Sequence, residues 1–289
     1  MQSNGITKPD FLIIGAQKCG TTWLWQMLDE HPGTDLPEEK EIHYFGGVEK
    51  YRQGKEWYYR HFNGLDPTRV VGEASTTYFF DRLPYWYNPV NSIEFDDSLP
   101  SIPELVLKEL PEVKIVVILR DPVKRAVSAY KHWFRKIGRG VHSPFSGIRR
   151  LALKRPKMRI VEYGYYDRYL EIWRRYVPPE RILTLIFEED VVREPERGIR
   201  RTYDFLGLDS GFMPEKVRKP VHKTSNWTRI VFNYYAKSFS PGLASSPLGW
   251  PFSQVDFLKR FMVRKDDIRF LRSQYLPERG QLENLLGRD

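Results

Sequence analysis

The chain has 289 residues, of which 41% are hydrophobic and 15% aromatic, so it can bury the core of one large α/β domain. Its 46 basic residues outnumber 37 acidic ones, and the formal net charge of +9 favours an anionic partner such as a nucleotide, a polyanionic sugar, an acidic carrier protein or nucleic acid. The single cysteine, Cys19, excludes an intramolecular disulfide. The first residues lack a signal-peptide pattern and no early apolar run is long enough to span a bilayer, so we expect a cytoplasmic chain without a membrane span.

Short apolar strands alternate with helices along the chain. Residues 11–14 are apolar and rich in β-branched side chains, which predicts a strand buried on both faces, and residues 22–31 follow as a helix. The same pattern recurs twice, with strands expected at 115–119 and 182–187 and helices at 123–134 and 195–206. This alternation predicts an α/β fold with a P-loop-like, doubly wound parallel sheet flanked by helices.

We expect a single domain over residues 1–289, interrupted by irregular, aromatic-rich loops at about 79–103 and 232–252. Residues 131–159 form a strongly basic stretch. Near the end of the chain, residues 266–286 are expected to form two helices separated at Leu276-Pro277.

Residues 15–22, GAQKCGTT, have the glycine spacing of a phosphate-binding loop and join the first strand to a helix N-terminus. Backbone N–H groups and the helix dipole bind phosphate at such a junction. The position of the lysine differs from that in an ATP-binding loop, where a lysine follows the second glycine. Here Thr21 follows the second glycine, Gly20, and Lys18 lies inside the loop. One lysine can neutralise the phosphate that leaves a singly charged sulfuryl group, whereas phosphoryl transfer from ATP needs Mg²⁺. A kinase, with Glu73 near the Mg²⁺, and a simple glycine turn remain the alternatives.

The sequence PDFLIIGAQKCGTTWL resembles the 5′-phosphosulfate loop of sulfotransferases that use 3′-phosphoadenosine 5′-phosphosulfate (PAPS), especially the heparan sulfate branch and its bacterial relatives. The resemblance implies that Lys18 contacts the 5′-phosphate and stabilises the leaving group. It also implies that the rest of the loop and the start of the helix bind the nucleotide, through Gln17, Gly20, Thr21, Thr22 and Trp23.

The sequence ILRDP at residues 118–122, with Ser128 on the following helix, resembles the motif that binds the 3′-phosphate of PAPS in this family. Arg120 at a strand end can make a bidentate contact with phosphate, and a serine hydroxyl adds a neutral hydrogen bond. The alternative is that Arg120 pairs with a surface carboxylate and Ser128 faces solvent.

Three further residues are candidate nucleotide ligands by resemblance. Tyr166 lies in a segment similar to the Gly-x-Tyr helix of the family, although an aromatic at this helical spacing is more often part of a core. Lys223 and Thr224 lie in a stretch similar to the loop that closes over PAPS, and they could equally form a solvated turn.

The segment EKEIHYF at residues 39–45 resembles the Lys-Glu-x-His-Phe-Phe segment of the heparan sulfate branch. The resemblance implies that Glu41 is the general base for the acceptor, and His43 is the alternative because imidazole titrates near neutral pH. A glutamate needs burial or a neighbouring charge to act as a base at neutral pH, and Tyr44 with Phe45 could bury it.

Two residues depart from the heparan sulfate branch. Gly46 replaces its usual aspartate, and Ala74 replaces a lysine that assists sulfuryl transfer, which argues against glycosaminoglycan specificity. We expect Glu73 and Ser75 to lie in the wall of the site.

The sequence therefore predicts a PAPS-dependent sulfotransferase that needs no metal and modifies a hydroxyl or amine. The alternatives are a kinase that uses ATP and Mg²⁺ and a non-catalytic polyanion-binding module built on the basic stretch. The acceptor stays open among a polysaccharide, a small hydroxylated molecule and a carrier-bound acyl chain, and nucleic acid is not expected. Aromatic residues in the irregular loops could stack on a sugar or a hydrophobic acceptor, namely Trp86, Tyr87, Tyr234, Tyr235 and Trp250.

Overall fold

The computed structural model describes residues 6–85, 94–136, 147–219, 231, 262–276 and 279–286. The chain divides into two compact units: a sheet unit of residues 1–121, 166–221 and 281–289, and a helical unit of residues 122–165 and 222–280. The single domain expected from the sequence stays a prediction. Lys223, Thr224, the expected loop at 232–252 and the five aromatic residues named above lie outside the described residues.

The sheet unit is built on five parallel strands in the order β2-β3-β1-β4-β5. The strands are β1 (Phe11–Gly15), β2 (Thr34–Asp35), β3 (Val70–Ala74), β4 (Lys114–Leu119) and β5 (Ile182–Ile186). The central strand β1 is entirely buried, and its Phe11 lies opposite Gly72 of β3 and Lys114 of β4. The chain adds strands first on one side of β1 and then on the other. The predicted doubly wound, P-loop-like sheet is confirmed, with its switch point at β1.

The α-helices of the described residues are α1 (Thr21–Asp29), α2 (Val48–Tyr51), α3 (Lys55–Tyr59), α4 (Ile102–Glu109), α5 (Pro122–Lys136), α6 (Ile148–Lys154), α7 (Tyr166–Tyr176), α8 (Pro195–Leu206), α9 (Lys265–Tyr275) and α10 (Arg279–Leu286). Short 3-10 turns occur at Tyr44–Gly46, Arg60–Phe62, Pro156–Met158, Glu162–Gly164 and Pro179–Arg181, and a π-helical turn covers Phe187–Arg193. Within the described ranges, no helix has the length and apolar character that crossing a membrane requires.

The strand β5 ends one residue earlier than the sequence predicts. Its last amide, the N–H of Ile186, donates to Asp190 Oδ2 over 2.7 Å. Asp190 is fully buried and its other oxygen accepts from Arg197 and Arg201. These bonds around the buried Asp190 turn the chain out of the sheet, so Phe187 begins the π-helical turn instead of ending the strand.

The helical unit has its own core. Its helices α5, α6 and α9 contribute buried apolar side chains to one cluster: Ala126, Tyr130, Ile148, Leu151, Met158, Ile160, Val231, Met262, Leu271 and Tyr275. Asp267 caps the start of α9 and also accepts the backbone N–H of Arg149 over 3.0 Å. This carboxylate therefore joins the N-terminal turns of α6 and α9.

Candidate functional site

Three segments named in the sequence analysis meet at the carboxyl edge of the sheet. They follow β1, β3 and β4, the central strand and its two neighbours. Main-chain hydrogen bonds join them, because Ala16 N–H donates to Ile118 over 2.8 Å and Ser75 N–H donates to Ile13 over 3.1 Å. In open α/β sheets, this edge at the switch point is where ligands bind.

The phosphate loop is a tight turn that requires left-handed backbone. Lys18 has φ 68° and Gly20 has φ 99°. A Cβ atom on Gly20 would lie 2.9 Å from the ring of Phe187, closer than two carbons can approach. Glycine is therefore required at this position both by conformation and by space.

The start of α1 offers main-chain donors to an anion. Gly20 accepts the amides of Trp23 and Leu24, whereas the N–H groups of Gly20, Thr21 and Thr22 bond to no residue in the described part of the chain. In the same ranges, the buried Oε1 of Gln17 also has no hydrogen-bond partner. Free amides at a positive helix end fit a phosphate group.

Two further predicted ligands lie against the loop. The buried Tyr166 places its hydroxyl 3.6 Å from Cys19 Sγ. Trp23 is also buried, and its indole N–H donates to the carbonyl of Val217 over 3.1 Å. The polar atom of Trp23 is thus already occupied by the protein, so a contact with a nucleotide would have to come from its ring.

Arg120 reaches from the end of β4 to the phosphate loop. Its Nη1 donates to the carbonyl of Lys18 over 3.2 Å, and its guanidinium stacks on the ring of Phe187 at 4.5 Å. Glu188 lies 3.8 Å from Arg120 Nε and also accepts the N–H of Asp121. The sequence analysis missed Phe187 and Glu188, although their place directly after β5 was a usable signal. Ser128 lies half-buried on α5 in the helical unit, and its role stays a prediction.

Glu41 and His43 form a hydrogen-bonded pair. His43 Nε2 lies 3.2 Å from Glu41 Oε2, and Lys40 Nζ lies 3.0 Å from Glu41 Oε1. On the other side of the imidazole, Nδ1 lies 2.9 Å from Thr77 Oγ1. Both ring nitrogens of His43 are therefore engaged by protein groups, while each carboxylate oxygen of Glu41 keeps a lone pair.

The charge state of Glu41 follows from these neighbours. Burial alone would raise the pKa of Glu41, but the hydrogen bond from His43 and the charge and hydrogen bond of Lys40 lower it from 4.5 to about 2. Tyr44 and Phe45, which the sequence analysis expected to bury Glu41, pack into an aromatic cluster with Tyr58, and their contribution to the burial of Glu41 stays a prediction. Glu41 is thus fully ionised at neutral pH.

The turn that carries this pair is strained and tightly fastened. Glu41 has φ 68° and His43 has φ 61°, a left-handed conformation that costs about 1–2 kcal/mol for each residue with a side chain. The N–H of Glu41 donates to the carbonyl of Ala74, and the N–H of His43 donates to Ser75 Oγ, each over 2.9 Å. The segment after β3 therefore fixes the conformation of the turn.

Beneath the turn lies Glu73, which is fully buried. Its Oε1 accepts from Ser75 Oγ over 2.6 Å and from Tyr78 over 2.7 Å, and its Oε2 accepts from Tyr58 over 2.7 Å. Burial raises the pKa of Glu73, and the three hydroxyl donors partly offset that effect. Because both oxygens are occupied inside the protein, Glu73 no longer favours the kinase alternative.

Close packing against Thr77 explains why position 46 is a glycine, where the sequence analysis noted an aspartate in the heparan sulfate branch. A Cβ atom on Gly46 would overlap Thr77 Oγ1, the atom that contacts His43 Nδ1. An aspartate could not occupy position 46 while Thr77 supports His43. The space beside the Glu41–His43 pair is therefore occupied by the side chain of Thr77, which leaves room only for glycine at position 46.

A buried parallel sheet with a glycine loop and free helix amides at its switch point defines an α/β protein of the P-loop-like, nucleotide-binding class. The model of the sulfotransferase family matches residues 9–212 of the chain. The chain belongs to the sulfotransferase family, so the family inferred from its motifs is confirmed.

Relatives and solved structures agree with this assignment. Heparan sulfate glucosamine 3-O-sulfotransferase 5 of Mus musculus is 27% identical over 206 residues, which cover 69% of this chain and 54% of the relative. Bifunctional heparan sulfate N-deacetylase/N-sulfotransferase 2 of Homo sapiens is 27% identical over 218 residues, 69% of this chain and 22% of that one. The chain thus matches about half of the first relative and less of the second. A sulfotransferase crystal structure from Alicyclobacillus acidocaldarius has a TM-score of 0.66 at 24% identity, covers 98% of this chain and 97% of that chain, and shows the same fold.

Proposed function

We propose that this protein transfers a sulfuryl group from PAPS to a hydroxyl or amine acceptor without a metal ion. One observation carries the proposal: the phosphate loop follows β1, and the ionised Glu41 is hydrogen-bonded through its N–H to Ala74 at the carboxyl end of β3, the strand next to β1. Membership in the sulfotransferase family supports it.

The donor site would be formed by the loop and by Arg120. The free amides of Gly20, Thr21 and Thr22 would hold the 5′-phosphate, and Lys18 would neutralise the charge that develops when this phosphate leaves. Arg120 would bind the 3′-phosphate. Its buried Nε makes no hydrogen bond among the described residues but lies 3.8 Å from Glu188, so a bound phosphate would compete with this carboxylate for Arg120. PAPS supplies an activated sulfuryl group carrying a single negative charge.

The transfer step is a substitution at sulfur. A bond forms between the acceptor oxygen or nitrogen and sulfur, the bond from sulfur to the 5′-phosphate oxygen breaks, and the electron pair stays on that phosphate. Glu41 would take the acceptor proton, since His43 has both ring nitrogens engaged whereas Glu41 keeps open lone pairs. Its weak basicity is offset because the acceptor proton becomes more acidic as the bond to sulfur forms.

The acceptor class is proposed from the relatives. Two of them are named for heparan sulfate, which favours a sugar among the open classes of acceptor. Ala74, in place of the lysine of that branch, argues against heparan sulfate itself. A screen with radiolabelled PAPS against desulfated oligosaccharides, phenols and hydroxyacyl carriers tests the preference for a sugar acceptor. Labelling of the non-sugar acceptors alone would contradict this preference.

The donor is tested by calorimetry without any acceptor. We expect adenosine 3′,5′-bisphosphate to bind about 100-fold more tightly than adenosine 5′-monophosphate, because a charged hydrogen-bond contact to the extra phosphate contributes about 1.5–3 kcal/mol. The Arg120→Ala variant should lose most of this preference. Arg175→Ala is the matched control, since Arg175 forms an exposed ion pair with Glu171 on α7. Equal affinity of the wild type for both nucleotides would exclude PAPS as the donor.

A further inference from the structure

We propose that Glu73 is a positioning residue that acts through Ser75 to hold the Glu41–His43 turn in its reactive conformation. The inference rests on the proposed function, because it concerns the same reaction. Among the described residues, the side chain of Glu73 forms hydrogen bonds with Tyr58, Ser75 and Tyr78, and none with the turn or the phosphate loop. The hydrogen-bond link between Glu73 and the turn is the Ser75 hydroxyl, and the charge of His43 acts on Glu73 as well.

The hydrogen-bond chain has a fixed direction. Ser75 Oγ carries one proton, and it donates that proton to Glu73 Oε1 over 2.6 Å. The lone pairs of the same oxygen are then directed away from Glu73, and one of them accepts the N–H of His43 over 2.9 Å. A carboxylate can only accept, so its presence decides which way the serine hydroxyl points.

Glu73 is itself held rigidly. The side chains of Glu73, Ser75, Tyr58 and Tyr78 are all completely buried. The two tyrosines donate to opposite carboxylate oxygens, Tyr58 to Oε2 and Tyr78 to Oε1. The bond from Tyr78 holds Oε1, the oxygen that also accepts from Ser75, whereas Tyr58 donates to the other oxygen.

The turn needs such support. Both Glu41 and His43 have left-handed backbone, which relaxes unless neighbouring groups hold it. Of the main-chain bonds that fasten the turn, the N–H of Glu41 donates to the carbonyl of Ala74 and the N–H of His43 donates to Ser75 Oγ, and this second bond depends on a side chain. Removing the Ser75 hydroxyl would release His43, and a displacement of about 1 Å in a catalytic group can lower the rate about 100-fold.

Four variants separate positioning from other roles. Ser75→Ala removes the link to His43, and Glu73→Leu removes the oxygen that accepts the Ser75 proton. Glu73→Gln is the conservative rescue of Glu73→Leu, because it keeps an oxygen that can accept from Ser75 while its amide group faces Tyr58. Tyr58→Phe is the matched control, because it also deletes one buried hydroxyl bonded to Glu73 but leaves the Ser75 link intact.

The first measurement needs no acceptor. Hydrogen exchange of the His43 amide, followed by NMR, should become about tenfold faster in Ser75→Ala and in Glu73→Leu, the change expected for loss of one hydrogen bond, and should stay within about twofold of the wild type in Tyr58→Phe and Glu73→Gln. Unchanged exchange in either Ser75→Ala or Glu73→Leu would overturn the proposal even if the protein proves inactive towards every acceptor in the screen.

The second measurement uses the best acceptor from the screen. We expect kcat to fall at least about tenfold in Ser75→Ala and in Glu73→Leu with the KM for PAPS within about twofold, and both values to stay within about threefold of the wild type in Tyr58→Phe and in the rescue variant Glu73→Gln. A loss in Glu73→Gln as large as in Ser75→Ala would show that the charge or proton of Glu73 is needed, and positioning would be wrong. Binding of adenosine 3′,5′-bisphosphate, measured alongside, tests the donor assignment independently.

Discussion

Two neighbours of Glu41 determine its charge. It lies close to a cation, Lys40, and accepts a hydrogen bond from His43, so its pKa is lowered to about 2. The carboxylate is therefore ready to accept a proton at every physiological pH. Its acid form becomes populated only near pH 2, where the pair with His43 and Lys40 would be lost.

This charge state predicts an unusual pH dependence for catalysis. Because Glu41 stays ionised far below neutral pH, kcat should change less than about twofold between pH 7.5 and pH 5.5. Glu41→Gln should lower kcat by about 100-fold or more, as expected for removal of a general base. The measurement is kcat at saturating PAPS across this range, using the wild type and both Glu41→Gln and His43→Ala.

A different pH dependence is expected if His43, and not Glu41, is the base. A fall in kcat on acidification from pH 7.5 to 5.5, together with a larger loss in His43→Ala than in Glu41→Gln, would be typical of an imidazole base. His43 would then be the base and Glu41 its partner.

At the residue scale, the sequence predicted the members of the pair but not their supports. Glu41 and His43 stand in a recognisable motif, and their contact over 3.2 Å follows from their closeness in the chain. Thr77 and Tyr58 come from other segments and reach the site only through the packing of β3. No local pattern distinguishes a tyrosine that binds a buried carboxylate from one that simply fills a core.

At the element scale, the junction of β1 and α1 depends on Gly20. Its φ of 99° is accessible to glycine, and the ring of Phe187 occupies the place where a Cβ would lie. The same ring supports Arg120 on its face. The loop, the π-helical turn and the arginine are thus packed against one another.

Gly20→Ala should therefore disturb both stability and donor binding. We expect the free energy of unfolding to fall by more than about 1 kcal/mol, since alanine is strained at this φ and would push Phe187 away. The affinity for adenosine 3′,5′-bisphosphate should fall at least about tenfold, because the free helix amides and Arg120 would both move. Chemical denaturation and calorimetry measure the two effects.

Gly64→Ala is the control for the loss of stability that comes from placing alanine on left-handed backbone. Gly64 has φ 85°, and no atom lies within 4 Å of a Cβ placed there. This variant should lose stability but keep its affinity for the nucleotide. If Gly20→Ala binds the nucleotide as tightly as Gly64→Ala does, the loop does not form the phosphate site.

The sequence predicted long apolar strands and well-bounded helices better than short elements. The strands β1 and β4 and the helix α8 were found because a buried run or a proline and glycine boundary marks each of them. The strands β2 and β3 were missed. One has two residues, and the other contains glycine and glutamate, so neither shows an apolar pattern of its own.

At the scale of the whole molecule, alternation of strands and helices sufficed to predict a parallel sheet, and the order of motifs placed the site at its carboxyl edge. The division into two compact units was not predicted, because the helical unit is assembled from segments far apart in the chain. The acceptor could not be predicted either. The proposed donor site uses main-chain geometry that requires glycine, so it can be recognised from the spacing of glycines in the sequence. The sequence contains no motif of this kind for an acceptor.

The reaction as a whole should not require a divalent cation. In the proposed donor site, Lys18 and the amides at the start of α1 would supply the positive charge needed by a donor whose sulfuryl group is singly charged, whereas a kinase would need Mg²⁺ to bridge two phosphates. Sulfuryl transfer should therefore keep more than about 80% of its rate in excess EDTA, as no step depends on a bridging metal. ATP with Mg²⁺ should give no phosphorylated product.

The assay follows radiolabelled sulfate with the acceptor from the screen, at constant ionic strength so that charge screening does not imitate a metal effect. A Mg²⁺-dependent kinase assayed in the same buffer verifies that EDTA removes the cation. A loss of transfer in EDTA that added Mg²⁺ restores would show that a metal ion completes the donor site. The charge of Lys18 would then be insufficient for the leaving phosphate, and the lysine inside the loop would no longer distinguish this site from that of a kinase.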